Sequence, residues 1–189
     1  MKKFKDEKNL KRGKGLTFVE VLISSAIAAL FLLILTLTTI NINKMSFSLS
    51  KKYEISSKSK IFLNKIVKEL VKNQPPSYNR SPILRIEPNL VEFYSYRSSS
   101  FLITLVRIAV YSNNANNGVS YRIEKVEIDV QNNNIIERSV NNFFIETTDS
   151  EFRFENMQNV AIRIYLRNAF LARGKRYEIY QKIDVPINY

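Results

Sequence analysis

The chain of 189 residues contains no cysteine and no histidine. Without cysteine the protein has no disulfide framework and no thiol nucleophile. Without histidine it lacks the usual general base at neutral pH, and the two absences together remove the commonest ligands of transition metals. An enzyme built from this sequence would have to use carboxylates, hydroxyls, lysine and tyrosine, and no nucleotide-binding or zinc-binding spacing is present. We therefore predict that the protein is not an enzyme, has no catalytic residues, and binds no cofactor or metal.

Acidic residues are scarce relative to basic ones, 17 against 29, which gives a net charge of +12. Such an excess attracts nucleic acid and anionic lipid alike. Residues 1–15 contain seven of the basic and two of the acidic residues, so the remainder of the chain carries only +7, most of it within residues 44–72. A nucleic-acid groove on a β-sheet needs its positive charge on the sheet. We therefore do not expect a nucleic-acid partner, although DNA binding stays open as an alternative.

A long uncharged segment follows the basic N-terminus. Residues 21–43 are 23 residues without a single charge. As an α-helix this length spans about 35 Å, slightly more than the roughly 30 Å hydrocarbon core of a bilayer. The run is longer than the apolar core of a cleavable secretory signal, and no small-residue cleavage site follows it. We predict one membrane-spanning helix, with the basic N-terminus in the cytoplasm and the C-terminal part outside it.

Glu20 is the unusual residue at the start of this segment. A carboxylate costs about 2.5 to 3.5 kcal/mol at the centre of a bilayer, and less near the interface. If the helix began at Leu16, a free α-amino group on that residue would supply a matching positive charge. Such an amine exists only if the chain is cut between Gly15 and Leu16. The alternative is an uncut anchor in which Glu20 lies near the interface.

The sequence Lys14-Gly15-Leu16-Thr17-Phe18-Val19-Glu20, followed by the apolar run, resembles the class III signal of type IV pilins and type II secretion pseudopilins. The resemblance implies that a prepilin peptidase cuts after Gly15, and that Leu16 becomes the N-methylated first residue of the mature chain. Thr17 and Glu20 match the second and fifth mature positions. Leu16 departs from the phenylalanine that the family usually has at the first position.

The same resemblance implies a function and partners. The protein would be a minor pilin-like subunit of the inner membrane with a periplasmic C-terminal domain. It would assemble into a type II secretion pseudopilus or a type IV pilus, at initiation or at the tip. Its partners would be the peptidase, other pilin or pseudopilin subunits, membrane lipid, a platform protein and an assembly ATPase, and Glu20 would pair with the α-amino group of an adjacent subunit. The alternatives are a minor pilin that binds DNA for uptake and a signal-anchored extracytoplasmic binding domain.

The chain divides by pattern into four parts: a cleaved leader (1–15), a transmembrane and assembly helix (16–43), its amphipathic continuation (44–74) and a β domain (75–189). One helix is expected from Leu16 to about Lys72, because Pro75 and Pro76 stop it. Its soluble part should pack on a sheet through two apolar rows at helical spacing. These rows are Phe62, Ile66 and Leu70, and Leu63, Val67 and Val71.

After the prolines the apolar period changes to two, which predicts β-strands. The predicted strands are 83–87, 90–96, 101–111, 119–130, 135–140, 160–166 and 177–187, with turns at 113–118 and 132–134. Apolar parity flips within 119–130, which predicts a bulge or strand break near Glu124 and Lys125. We predict an α+β domain in which one antiparallel, meander-like sheet packs on the long helix, as in pilins. The order of its strands resembles the J class of minor pseudopilin.

Two carboxylate pairs offer further chemistry. Glu127 and Asp129 share one face of a strand and could hold a cation or act as an acid–base pair. No third carboxylate or glycine-rich loop accompanies them, so we interpret them as solvent-facing partners of Lys125. Asp149 and Glu151 are the other pair, and resemblance to some pseudopilins allows a Ca²⁺ site in a C-terminal loop there as an alternative.

Overall fold

The structure, a computed structural model, describes residues 17–76, 80–97, 102–172 and 174–188. The predicted leader and the predicted cleavage residues Gly15 and Leu16 lie outside the described residues. Within these ranges one α-helix is followed by eight antiparallel β-strands, so the predicted α+β class is confirmed. The chain divides into two compact units, Met1–Ser46 and Phe47–Tyr189.

Helix α1 runs from Phe18 to Leu70. Its end is fixed by Asn73, whose Nδ2 donates hydrogen bonds to the carbonyl oxygens of Leu70 at 2.6 Å and Pro186 at 3.2 Å. The backbone N–H of Asn188 in turn donates to Asn73 Oδ1 at 2.9 Å. Pro186 and Asn188 therefore complete the end of α1, and Asn73 is fully buried.

One face of the C-terminal part of α1 is buried. It comprises Ile55, Ser59, Phe62, Leu63, Ile66 and Leu70. The predicted stripe was correct for four of these residues and for Val67, which is partly buried against the core, but wrong for Val71, which is 54% exposed. The physical reason is that α1 ends at Leu70, so Val71 lies in the following turn and no longer continues the helical row.

Five strands form the first sheet in the order β1-β2-β3-β4-β5. Their bounds are β1 Ile83–Glu87, β2 Leu90–Arg97, β3 Leu102–Ala115, β4 Gly118–Asp129 and β5 Ile135–Ile145. Every neighbouring pair is antiparallel. The predicted turn at 113–118 is shorter in the structure, because β3 continues to Ala115 and β4 begins at Gly118, which leaves only residues 116–117 between them. The predicted turn at 132–134 lies between β4 and β5, where Asn133 has a positive φ of 54°.

Three strands form a second sheet in the order β6-β7-β8, with bounds β6 Asp149–Met157, β7 Ala161–Ala172 and β8 Lys175–Pro186. The prediction of a single sheet was therefore wrong, and β6 was not predicted. The division occurs where the chain leaves β5, because the N–H of Thr148 donates to the carbonyl of Ala169 at 2.7 Å and directs β6 onto β7. A hydrogen bond of 2.9 Å from Phe154 N–H to the carbonyl of Pro88 links the two sheets.

The predicted irregularity near Glu124 and Lys125 is absent, because β3 and β4 pair without interruption from Thr104↔Asp129 to Ala115↔Gly118. The apolar parity flips because Lys125 lies on the helix-facing side as part of an ion cluster. Its Nζ is 3.0 Å from Glu69 and 2.6 Å from Glu127. A register shift does occur in β4, but against β5, between Glu127 and Ile128.

The core lies between α1 and both sheets, with Phe62 at its centre. This ring is fully buried and lies 4.7 Å from the ring of Tyr121, 5.5 Å from Phe143 and 5.5 Å from Phe152, measured between centroids. Tyr121 and Phe143 belong to the first sheet, and Phe152 belongs to the second. One helical side chain therefore holds both sheets to α1.

A buried chain of polar groups crosses the same core. Asn168 Nδ2 donates to Ser59 Oγ at 2.8 Å, and Ser150 Oγ donates to Asn168 Oδ1 at 2.5 Å. The hydroxyl of Tyr121 bonds to Ser150, and burial raises the pKa of this tyrosine to about 12. Because buried polar groups need partners, this network fixes the helix, β4, β6 and β7 in one register.

Candidate functional site

The N-terminal part of α1 is apolar and exposed around its whole circumference. Every residue from 17 to 47 is exposed, and the large apolar side chains between 18 and 40 range from 43% exposed at Ile40 to 78% at Phe18. A surface helix of a soluble domain would instead bury one apolar stripe. Among the described residues this is a single N-terminal helix long and apolar enough to cross a membrane.

Four hydroxyl groups of this segment bond within the helix. Thr36, Thr38 and Thr39 each donate to the carbonyl oxygen four residues earlier at 2.8 Å. Ser25 donates to the carbonyl of Leu22 at 2.9 Å. A hydroxyl that bonds to its own helix leaves no unpaired donor to the surroundings. These four hydroxyl groups are therefore compatible with an apolar environment.

Thr17 and Glu20 form a capping box at the start of α1. Glu20 Oε2 accepts hydrogen bonds from Thr17 N–H at 2.7 Å and from Thr17 Oγ1 at 3.0 Å, and Glu20 N–H donates to Thr17 Oγ1 at 3.3 Å. This reciprocal arrangement satisfies amide groups that have no partner inside the helix. Sequence reasoning singled out both residues but missed their bond to each other, which the Thr-x-x-Glu spacing indicates.

The capping box uses only one oxygen of the carboxylate. No hydrogen bond to Glu20 Oε1 occurs among the described residues, and both bonds from Thr17 end on Oε2. The carboxylate also lies at the positive end of the helix dipole, which favours its ionised form. Within the described ranges, Glu20 therefore keeps one acceptor oxygen without a partner at the start of the apolar helix.

The interpretation of Glu127 and Asp129 on β4 as solvent-facing carboxylates was wrong. Glu127 lies against Lys125 and Asp129 is 7% exposed, with both on the helix-facing side of the sheet. Asp129 accepts bonds from Gln131 N–H and Asn132 Nδ2, both at 2.8 Å. These two carboxylates are therefore held by an ion pair and by the β4–β5 turn.

The ion cluster around Lys125 is half-buried and titrates abnormally. Burial alone would raise the pKa of Glu69, but hydrogen bonds from Lys72 and Lys125 lower it below the ordinary value of 4.5. Burial would likewise lower the pKa of Lys125, but Glu127 and Glu69 raise it above 10.5. Both shifts favour the charged forms at neutral pH.

The outer face of the second sheet carries several ion pairs between acidic and basic side chains. Asp149 and Glu151 lie within β6, so they are on a strand where a C-terminal loop was considered for Ca²⁺. Each is within 4 Å of Arg167, at 3.0 and 3.5 Å respectively. Arg163 forms a two-pronged bond to Asp184 at 2.7 and 2.9 Å. In the part of the chain that the structure describes, no group of three or more acidic side chains could hold a metal ion.

Comparison with protein-family models, with curated proteins and with solved structures found no match to this chain. Its function is therefore inferred from the motif, the fold and the helix start described above.

Proposed function

We propose that this protein is a minor pilin-like subunit, processed by a prepilin peptidase and assembled into a type II secretion pseudopilus or a type IV pilus. The supporting observation is the position of the Thr17–Glu20 capping box. It starts an apolar helix that is exposed on every side, and it directly follows Gly15 and Leu16 in the sequence. A signal that is cut on the cytoplasmic side leaves such a helix attached to the mature chain.

Cleavage after Gly15 would place a new α-amino group on Leu16, next to the capping box. Glu20 Oε2 is already bonded to Thr17, whereas Oε1 has no partner among the described residues. We expect Oε1 to accept a hydrogen bond from the α-amino group of a neighbouring subunit. A charge-assisted bond in an apolar environment is strong and directional, so it would set the axial position of one subunit on the next.

The apolar surface of residues 18–43 would serve the subunit in two environments. In the membrane it would contact lipid, and in the filament it would contact the same segment of neighbouring subunits. Helices in an apolar environment associate through packing and a few hydrogen bonds. The hydroxyls of Thr36, Thr38 and Thr39 are already bonded within α1, so neither environment has to supply them with a partner.

Processing can be tested with two glycine variants of the full chain, expressed with a prepilin peptidase. Gly15→Val should leave the leader attached, whereas Gly13→Val, two residues upstream, should be cut normally. Intact-mass measurement of the membrane-extracted protein distinguishes the two forms, since cleavage removes 15 residues. A wild-type chain that still begins at Met1 would refute processing and leave an anchored extracytoplasmic domain as the function.

Assembly can be tested at Glu20. Glutamine also supports a capping box, so Glu20→Gln keeps the helix start and removes only the charge. We expect normal processing and insertion but at least about tenfold less incorporation into sheared filaments, as a lost charge-assisted bond implies. Thr17→Ala is the matched control, because it removes the cap and keeps the carboxylate. Normal incorporation of Glu20→Gln would contradict the pairing mechanism.

A further inference from the structure

A surface cavity of about 570 Å³ lies beside the part of α1 with which the second unit begins. Its walls come from four segments, namely α1 at Lys51, the turn between β3 and β4, the link between β5 and β6, and β7 at Phe170 and Leu171. Gly118 allows the turn to approach the end of β5, because a Cβ atom at this position would overlap the carbonyl oxygen of Ile145. The cavity therefore belongs entirely to the second unit.

The cavity is lined by one positive and one negative side chain, Lys51 and Glu146. Within the described ranges, neither side chain forms an ion pair within 4 Å or a hydrogen bond. At longer range Lys51 acts on Glu54 and Glu146 acts on Lys58, but those two residues are already bonded to each other at 2.6 Å. Two opposite charges that line one cavity without bonding to each other are complementary to a ligand that carries both charges.

The neutral part of the lining supplies hydrogen-bond donors. The hydroxyls of Thr147 and Thr148 are occupied, because both donate to the carbonyl oxygen of Ala169. Three further lining residues have amide side chains that form no hydrogen bond with other described residues: Asn114, Asn116 and Asn117. Each amide offers two N–H donors, so the turn between β3 and β4 can bind the oxygens of a phosphate group.

The position of Lys51 in the chain corresponds to the depth of lipid headgroups if residues 21–43 cross a membrane. Lys51 follows Asn43, the last residue of the uncharged run, by eight residues, which is about 12 Å along a helix. Helical side chains point back towards the N-terminus by about one turn, so the ammonium group lies about 7 Å beyond the run. The polar layer of a bilayer extends about 5 to 7 Å beyond the hydrocarbon on each side.

We propose that this cavity binds the headgroup of a membrane phospholipid that carries a phosphate and a primary ammonium group, as phosphatidylethanolamine does. Lys51 and the amides of the β3–β4 turn hold the phosphate, and Glu146 accepts hydrogen bonds from the ammonium group. Leu171, which is 53% exposed, contacts the glycerol ester region. The proposal rests on the proposed membrane span, but not on processing or filament assembly.

Other headgroups fit the two charges less well. The quaternary ammonium group of phosphatidylcholine has no N–H to donate to Glu146. An anionic headgroup such as that of phosphatidylglycerol pairs with Lys51 and leaves Glu146 beside a second negative charge, which is unfavourable. The lipid with a primary ammonium group is therefore the occupant that satisfies both side chains.

Native mass spectrometry of the full chain in detergent measures the preference, with dihexanoyl forms of the three lipids as the probes. We expect phosphatidylethanolamine to bind at least about tenfold more tightly than phosphatidylcholine or phosphatidylglycerol. Equal binding of all three lipids, or tighter binding of phosphatidylglycerol, would overturn the proposal. Free phosphoethanolamine that binds as tightly as the lipid would also overturn it, because the cavity would then take a soluble ligand.

Three glutamine variants assign the two charges. Lys51→Gln should weaken binding of phosphatidylethanolamine at least about tenfold, and Glu146→Gln should remove its preference over phosphatidylcholine. Lys52→Gln is the matched control, because Lys52 is the adjacent lysine, is exposed and does not line the cavity. If Lys52→Gln weakens binding as much as Lys51→Gln, the attraction comes from the overall positive charge and the cavity is rejected as the site.

The depth of the cavity can be measured because the chain has no cysteine, so one introduced cysteine carries a fluorophore. Asn113→Cys lies near the β3–β4 turn, and Asn134→Cys lies at the other end of β4, whose twelve residues span about 40 Å. In nanodiscs that contain phosphatidylethanolamine, lipids spin-labelled on the headgroup should quench the first fluorophore much more than the second. Equal quenching would overturn the proposal. A chain that keeps its leader would refute processing but leave this expectation unchanged, so the two failures are distinguishable.

Discussion

Asn168 is the residue whose replacement tests most directly how the two sheets are held to α1. Its side chain is fully buried and bonds to Ser59 on the helix at 2.8 Å and to Ser150 on β6 at 2.5 Å. Asn168→Ala removes both bonds at once. Each is worth about 1 kcal/mol, and the vacated volume adds a cavity penalty, so we expect a loss of about 2 to 4 kcal/mol in the free energy of unfolding.

Urea unfolding of the full chain in a mild detergent measures this loss, with tyrosine fluorescence as the signal because Tyr121 belongs to the network. The matched control is Asn142→Ala, an exposed position on β5 where we expect a change within about 0.5 kcal/mol. A double-mutant cycle with Ser59→Ala should give a coupling of about 1 kcal/mol.

The outcome separates a network from simple packing. If Asn168→Ala costs less than about 1 kcal/mol, the buried bonds contribute less than their geometry implies. If its cost is large but the coupling to Ser59 is close to zero, the loss comes from the cavity alone. Either result would refute the view that this polar chain fixes the register between helix and sheets.

Three further predictions follow from the core and the ion cluster. Phe62→Ala should cost about 3 to 5 kcal/mol in urea unfolding, since a fully buried ring that contacts both sheets is lost; a cost below about 1.5 kcal/mol would contradict its central position. Asn73→Ala should lower the free energy of unfolding by about 2 to 3 kcal/mol, because the carbonyl groups of Leu70 and Pro186 and the N–H of Asn188 each lose a hydrogen bond to the Asn73 side chain; unchanged stability would show that water replaces it. Stability should decrease as the pH falls below 4.5, because the folded-state pKa of Glu69 is depressed, and as it rises above about 10, because the folded-state pKa values of Tyr121 and Lys125 are raised; Lys125→Gln should make the alkaline decrease smaller in a pH series of melting curves and leave the part due to Tyr121.

The parts of the fold that the sequence predicts well are those governed by local signals. The uncharged run, the two prolines and the asparagine-rich turns are short-range patterns, and the predicted bounds of β1 agree with the structure. Strand β6 was missed because only Phe152 and Phe154 mark its inner face, and its other residues are largely polar or charged. Which strand pairs with which, and hence the presence of two sheets, depends on long-range contacts that a local pattern does not encode.

In the candidate site, too, local sequence signals were predictable and contacts between side chains were not. The positions of Thr17 and Glu20 were visible in the sequence, but their mutual bonding depends on the helix starting at Phe18 and not at Leu16.

The flip of apolar parity in β4 was misread as a bulge because Lys125 was assumed to face solvent. In the structure its charge is compensated by Glu69 on α1 and Glu127 on β4. A charged residue on a core face is predictable only when its partners are known.

The hydrogen bonds that join Asn73 to Pro186 and Asn188 have a consequence for unfolding. They connect groups 113 and 115 positions apart in the chain, and the asparagine that they share is fully buried. Separating the segment after β8 from the end of α1 would leave buried polar atoms of Asn73 without partners, so the two segments should open together. Their amide protons should therefore exchange with solvent at similar rates.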